Sequence, residues 1–100
     1  ILAVPGIDSI CLGPNDLSGS MGKLGQINDP QVCDVFQTVA DKVNASDIPL
    51  GVATFYSDDN FARWVRVGVK WISLDLDWGH LFKAGRCVLD SARAASASGG

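Results

Sequence analysis

From Gly13 the chain reads Gly-Pro-Asn-Asp-Leu-Ser, then passes Gly19, Gly22 and Gly25 to reach Asn28-Asp29-Pro30. These residue types can hold a small ligand. Gly13 lets a ligand approach the backbone, and Pro14 stiffens the turn. Free N–H groups at Asn15 and Asp16 can bind a small anion such as a carboxylate. The Asp16 carboxylate can ligate a hard divalent cation. The same residues have a plain structural use, because an Asp after Gly-Pro commonly forms a turn or caps a helix. On residue chemistry alone the structural use is the commoner one, and both readings stay open.

The elements around this stretch must place it. Asp8 to Leu12 reads as a short strand that stops at Gly13-Pro14. Gly13 to Asp29 reads as a loop, with room for a short turn of helix near Leu17. It is far longer than the roughly 2–6 residues usual between a strand and a helix, and long loops often carry function. Asn28 or Asp29 then caps a helix with Pro30 at its first position. Val32, Val35, Phe36, Val39, Ala40 and Val43 recur at helical spacing. A turn over 44–49 leads to a strand from Leu50 to Phe55. Ser57 caps the next helix, whose apolar stripe is Phe61, Trp64 and Val65 and whose end is Gly68. A third strand spans Val69 to Leu76. A last helix runs from about Trp78 to near Ala95, with Leu81, Ala84, Val88, Leu89 and Ala92 as its inward face. The domain is therefore 1–95, and 96–100 is a frayed tail.

Strand and helix alternate three times, which predicts an α/β fold with a parallel sheet and crossover helices. In the third strand Trp71, Ser73, Asp75 and Asp77 share one face, while Ile72, Leu74 and Leu76 share the other. Three strands cannot close a barrel, so further strands are expected on the N-terminal side. The absence of an initial Met points the same way, to a fragment or a processed product.

Composition narrows the function classes. The chain has 100 residues, 47% apolar, and a net charge of −3. That mild acidity, with eight scattered Lys and Arg, argues against nucleic acid as a partner. No apolar run approaches the roughly 18 residues of a membrane span, so no membrane role is expected. Cys11, Cys33 and Cys87 are odd in number and far apart, which argues against a disulfide framework or a zinc site. They are read as free thiols packed as small hydrophobes in a reducing, cytoplasmic setting. His80 is read as a surface or packing residue and Asp77 as a helix cap. Trp64, Trp71 and Trp78 are read as packing residues, with Trp78 also able to line the site's mouth.

The run GIDSICLGPNDLSGSMGKLGQINDPQV, Gly6 to Val32, closely resembles the corresponding stretch of the HpcH/HpaI aldolase family. The G-P-x-D-L-S core, the Met-Gly after it and the Pro opening a helix carry the likeness. LGVATF and VRVGVKWISLDLD resemble that family's last two strands. The resemblance implies the C-terminal three βα units of a (β/α)8 barrel. It implies a class II aldolase that cleaves 2-keto-4-hydroxy acids to pyruvate and an aldehyde. It also implies a divalent cation (Mg²⁺, Mn²⁺ or Co²⁺), held in part by Asp16, that stabilises the pyruvate enolate as a Lewis acid. The N–H groups of Asn15 and Asp16 would hold the pyruvate carboxylate, and the protein would be a homo-oligomer, a hexamer in the family. No residue of this chain takes the family's proton-transfer role. The second metal ligand (a Glu), a pyruvate-clamping Arg and a His all belong to earlier strands. Asp75 departs from the family pattern, which has a small residue such as Gly there. Its acid is expected to alter metal affinity or substrate choice, or to be satisfied by a Lys or Arg on a missing strand. Two alternatives accompany this reading: a macrophomate-synthase-like enzyme that decarboxylates oxaloacetate and forms a C–C bond, and a catalytically silent barrel fragment.

Overall fold

The structure, a computed structural model, describes residues 1–99. Its elements are β1 (Ile10–Leu12), α1 (Pro14–Ser20), α2 (Pro30–Asn44), β2 (Leu50–Thr54), α3 (Asp58–Val67), β3 (Trp71–Leu74) and α4 (Asp77–Ser98). The strands form one parallel sheet in the order β1-β2-β3.

The register decides which side chains share a face. Leu12, Val52 and Ile72 are ladder partners, as are Ile10 and Leu50. Their face meets α2 and α3. Leu50, Val52, Phe36, Ala40, Val43 and Trp64 form the buried core there, with Ile10, Leu12, Val67 and Ile72 packed around it. Phe36 and Trp64 meet with ring centroids 4.7 Å apart, and truncating either would cost about 3–5 kcal/mol. The other face carries Cys11, Gly51 and Trp71 in one row and Ala53 and Ser73 in the next. Cys11, Ala53, Trp71 and Ser73 are exposed, so no described element covers this face. Both crossover helices thus lie on one side of the sheet.

Local chemistry explains the element ends. Asp29 is the N-cap of α2 and accepts from the Gln31 N–H at 2.9 Å, with Pro30 at the first helical position. Ser57 caps α3 by accepting from Asn60 N–H, and Gly68 ends it at φ 88°. Three differences from the sequence reading concern length. The strands are shorter, at Ile10–Leu12, Leu50–Thr54 and Trp71–Leu74. β3 ends early because Asp75 turns to φ 58°. Residues 14–20 form a full helix rather than a loop, since Pro14 supplies a preset φ at its first position. α4 continues to Ser98, so 96–98 are helical; Gly100 lies outside the described residues.

Two packing expectations fail. On α3, Trp64 is buried, but Phe61 and Val65 are exposed, because the seam runs through Trp64 and Val67. On α4, Leu81, Val88 and Leu89 are exposed, and Gly79 is the helix's buried residue. That 22-residue helix extends about 33 Å at 1.5 Å per residue, which accounts for the 66 Å long axis of the chain. Its apolar stripe is real, but none of the described elements lies against it.

Candidate functional site

The carboxyl ends of the three strands point the same way, and the loops leaving them converge on one cavity of about 220 Å³. Asn15 and Asp16 line it from α1, Ala53, Thr54 and Phe55 from the end of β2, and Ser73, Asp75 and Leu76 from β3 and its exit. A second cavity of about 430 Å³ shares Asn15, Ala53, Thr54 and Phe55, and continues over Tyr56, Ser57 and Asn60. The structure therefore brings Asn15 and Asp16, the two site residues named from sequence, to one cavity wall.

Why they sit there follows from α1. Gly13 is its N-cap and offers no side-chain acceptor. Leu17 N–H bonds to Gly13 O at 2.9 Å, so intrahelical bonding begins at Leu17. The N–H groups of Asn15 and Asp16 precede it and have no carbonyl four residues back within the helix. The Asp16 carboxylate folds back over the cap, and a Cβ on Gly13 would lie 2.5 Å from its Oδ2. Gly13 is thus a glycine for a contact reason: a side chain there would push Asp16 aside.

The long loop after α1 is held at several points, where the sequence marks Asn28 and Asp29 only as helix caps and Ser18 only as part of the G-P-x-D-L-S core. Ser18 is fully buried; its hydroxyl donates to Asn15 O at 2.7 Å and accepts from Gly25 N–H at 3.1 Å. Lys23 Nζ meets Asp29 Oδ2 at 2.7 Å and holds the Asp29 carboxyl below the usual carboxylate range. Arg63 donates from Nη1 to Ile27 O at 3.0 Å and to Asn28 Oδ1 at 3.1 Å, while its guanidinium stacks over Trp64 at 4.5 Å. The sequence signal for these anchors is the length of the loop.

The remaining candidates fall into place. Asp75 is paired, but by Lys83 of α4 at 2.6 Å, not by a cation on another strand. Asp77 is the first residue of α4 rather than its N-cap, which is Leu76. Its Oδ1 still accepts from Trp78 N–H at 2.8 Å. His80 is exposed, and its Nε2 lies 3.1 Å from Leu74 O. Trp64 is core and Trp78 is 61% exposed. Cys11 and Cys87 are exposed and Cys33 half-buried, so the thiols are free but only Cys33 is even partly packed. Among the described residues no three His, Cys, Asp or Glu side chains gather to hold a cation. Asp16 would supply one carboxylate and no more.

Over 77 residues the chain is 35% identical to a hydroxypyruvate/pyruvate aldolase of Agrobacterium fabrum, covering 77% of this chain and 29% of that protein. Its fold superposes on an HpcH/HpaI aldolase/citrate lyase family protein of Burkholderia cenocepacia with a TM-score of 0.81 at 32% identity, over 93% of this chain and 36% of that one. The chain is homologous to the HpcH/HpaI aldolases. The citrate synthase SbnG is also similar, at TM-score 0.79 and 30% identity, over 96% of this chain and 39% of that one. No protein-family model matches the chain. The chain spans about a third of the length of the curated relatives it matches. Its α/β fold with a small parallel sheet is the fold of these aldolases over that stretch. None of its described helices is long and apolar enough to cross a membrane.

Proposed function

We propose that this chain is the C-terminal three βα units of a (β/α)8-barrel aldolase that releases pyruvate and an aldehyde from a 2-keto-4-hydroxy acid. The observation that carries the proposal is the placement of Asn15 and Asp16 at the carboxyl ends of parallel strands, the end where such barrels hold their active sites. The bare sheet face supports the barrel, because crossover helices on one side only leave the other side to close on itself. The whole protein would be a cytoplasmic homo-oligomer.

In this reading the Asn15 and Asp16 N–H groups bind the pyruvate carboxylate as charge-assisted donors. Asp16 is one ligand of a divalent cation (Mg²⁺, Mn²⁺ or Co²⁺), and its remaining protein ligands come from outside this chain. When bound, such a cation polarises the keto group. Ser18 holds the backbone carbonyl of Asn15, which shares a peptide plane with the Asp16 N–H, and so fixes the pose of that N–H group. The 100-residue chain alone is accordingly inactive, since a single carboxylate does not preorganise a cation site.

The test is Asp16→Ala in the protein that carries the complete barrel. Pyruvate release falls by about a thousandfold, the scale of losing a key electrostatic group, while circular dichroism and Tm stay near wild type. Wild-type turnover by that variant would remove Asp16 from the site. A second reading has the same cavity serve a macrophomate-synthase-like enzyme that decarboxylates oxaloacetate and forms a C–C bond, and the likeness to the citrate synthase SbnG favours a bond-forming reaction. Oxaloacetate decarboxylation without any retro-aldol release of pyruvate would favour it.

A further inference from the structure

Asp75 combines three features that occur together in none of its neighbours. It is the one described non-glycine residue with positive φ, at 58°, a region that disfavours an L side chain but that Asp tolerates better than most. Its side chain is only 2% exposed, although Ser73 before it lies open on the bare face. It lines the same cavity as Asn15 and Asp16.

What holds it there belongs to α4. Lys83, two turns into that helix, places Nζ 2.6 Å from Asp75 Oδ2. Gly79, the buried residue of α4, faces the carboxylate, and a Cβ there would lie 3.6 Å from Oδ1. His80 Nε2 adds a contact to Leu74 O at 3.1 Å. The rest of α4 is exposed, so these contacts seat the helix on the sheet. The Lys83 hydrogen bond holds the Asp75 carboxyl below the usual carboxylate range against the opposing effect of burial, with Tyr56 N–H and His80 adding to it. Leu76, between Asp75 and α4, is itself a wall of the cavity.

We propose that Asp75 is a positioning residue: through Lys83 and Gly79 it fixes the first two turns of α4, and with them Leu76, as the outer wall of the substrate cavity. The left-handed turn is what directs the carboxylate from the end of β3 toward α4. The pair is charge-neutral, so it shapes the wall without adding net charge opposite Asp16. Asp75 touches no reacting atom in this scheme, and its effect on turnover rests on the aldolase reading.

The test uses D75N, K83M, K83R and the D75N/K83M double variant in the protein with the complete barrel. Pyruvate release is measured together with amide exchange over residues 76–83. Asn keeps the shape of Asp and tolerates the left-handed backbone. D75N and K83M should each raise KM about tenfold with kcat within about twofold. The double variant should be no worse than either single one, K83R should recover most of the loss, and exchange over 76–83 should quicken in the damaged variants. Wild-type KM and exchange in D75N would overturn the proposal. So would a fall in kcat larger than the rise in KM, because that would place Asp75 in the chemistry. If wild type releases no pyruvate, the aldolase reading fails, and exchange alone then decides: faster exchange in D75N sustains the positioning role and unchanged exchange removes it. If D75N does not fold, D75G, which suits φ 58°, carries the same measurements.

Discussion

Gly51 is the position where the sheet's bare face is most tightly determined. A Cβ built there would lie 2.0 Å from Trp71 Cε2 and 2.2 Å from Cζ2. Carbon atoms in contact normally sit about 3.5–4.0 Å apart, so Gly51→Ala must drive the indole back by roughly 1.5 Å. The ring is not free to retreat. Trp71 is the ladder partner of Gly51, and its Nε1–H donates to Ser9 Oγ at 2.7 Å across the sheet. Overpacking of this kind costs about 1–3 kcal/mol, and losing the hydrogen bond adds about 1 kcal/mol. Stiffening the unfolded chain returns about 0.4–1 kcal/mol. The net expectation is destabilisation by about 2 kcal/mol, read by urea unfolding followed by far-UV circular dichroism. In a Trp71→Ala background the collision disappears, and Gly51→Ala should become neutral or slightly stabilising, giving a coupling of about 2 kcal/mol. Equal costs in the two backgrounds would refute the reasoning. So would a negligible cost with a red-shifted indole emission, which would mean that the 39% exposed ring simply swings outward.

Other substitutions probe how the long loop is held. Ser18→Ala removes a buried hydroxyl that both donates to Asn15 O and accepts from Gly25 N–H; it should cost about 1–3 kcal/mol in urea unfolding. Arg63→Met severs the tie from α3 to Ile27 and Asn28, so protease cleavage within 21–29 should accelerate while the core helices stay protected. Ser57→Ala removes the α3 cap and should cost about 1 kcal/mol. The Lys23–Asp29 pair makes a pH prediction. Asp29 is held below its unfolded value of about 3.9, so its contribution is present above that pH and is lost as pH falls through the lower folded value. Lys23→Met should therefore lower Tm modestly in the neutral region and leave it nearly unchanged at low pH, which flattens the acid limb of a Tm-against-pH profile.

Periodicity made the fold readable, and contacts between distant residues set its limits. The stripe Val32, Phe36, Ala40 and Val43 and the alternation in β3 each require one face, so α2 and the strand could be placed from spacing alone. The caps Asp29, Ser57 and Gly68 were equally local. Helix α1 reads from sequence as no more than a short turn near Leu17, because Ser18, Gly19 and Ser20 are poor helix formers. Its bonding relies on Pro14 at the first position and on Ser18 packing against a loop seven residues later. Asp75 could be flagged as an acid at the mouth, but its partner could not be assigned. Lys83 reaches it only because φ at Asp75 is positive, and nothing in spacing encodes that. Asn15 and Asp16 are singled out by resemblance rather than by chemistry, since Gly-Pro-Asn-Asp alone suits a helix start as well as a ligand site.

The incomplete cavity and the bare sheet face have one origin. Helices α2 and α3 cover the side bearing Leu50, Val52 and Ile72. The side bearing Ala53, Trp71 and Ser73 has no cover among the described residues. The cavity opens at the top of that uncovered side, since Ala53 and Ser73 line it. Helix α1 closes it with Asn15 and Asp16, and the exit of β3 closes it with Asp75 and Leu76. Any group that joins Asp16 in holding a ligand must therefore arrive across the bare face, the direction in which further strands of a barrel would lie. An uncovered helix-side core would have made the chain a poor scaffold. On the proposed reading, an uncovered inner face makes it a sector of a site, to which Asp16 would bring one ligand.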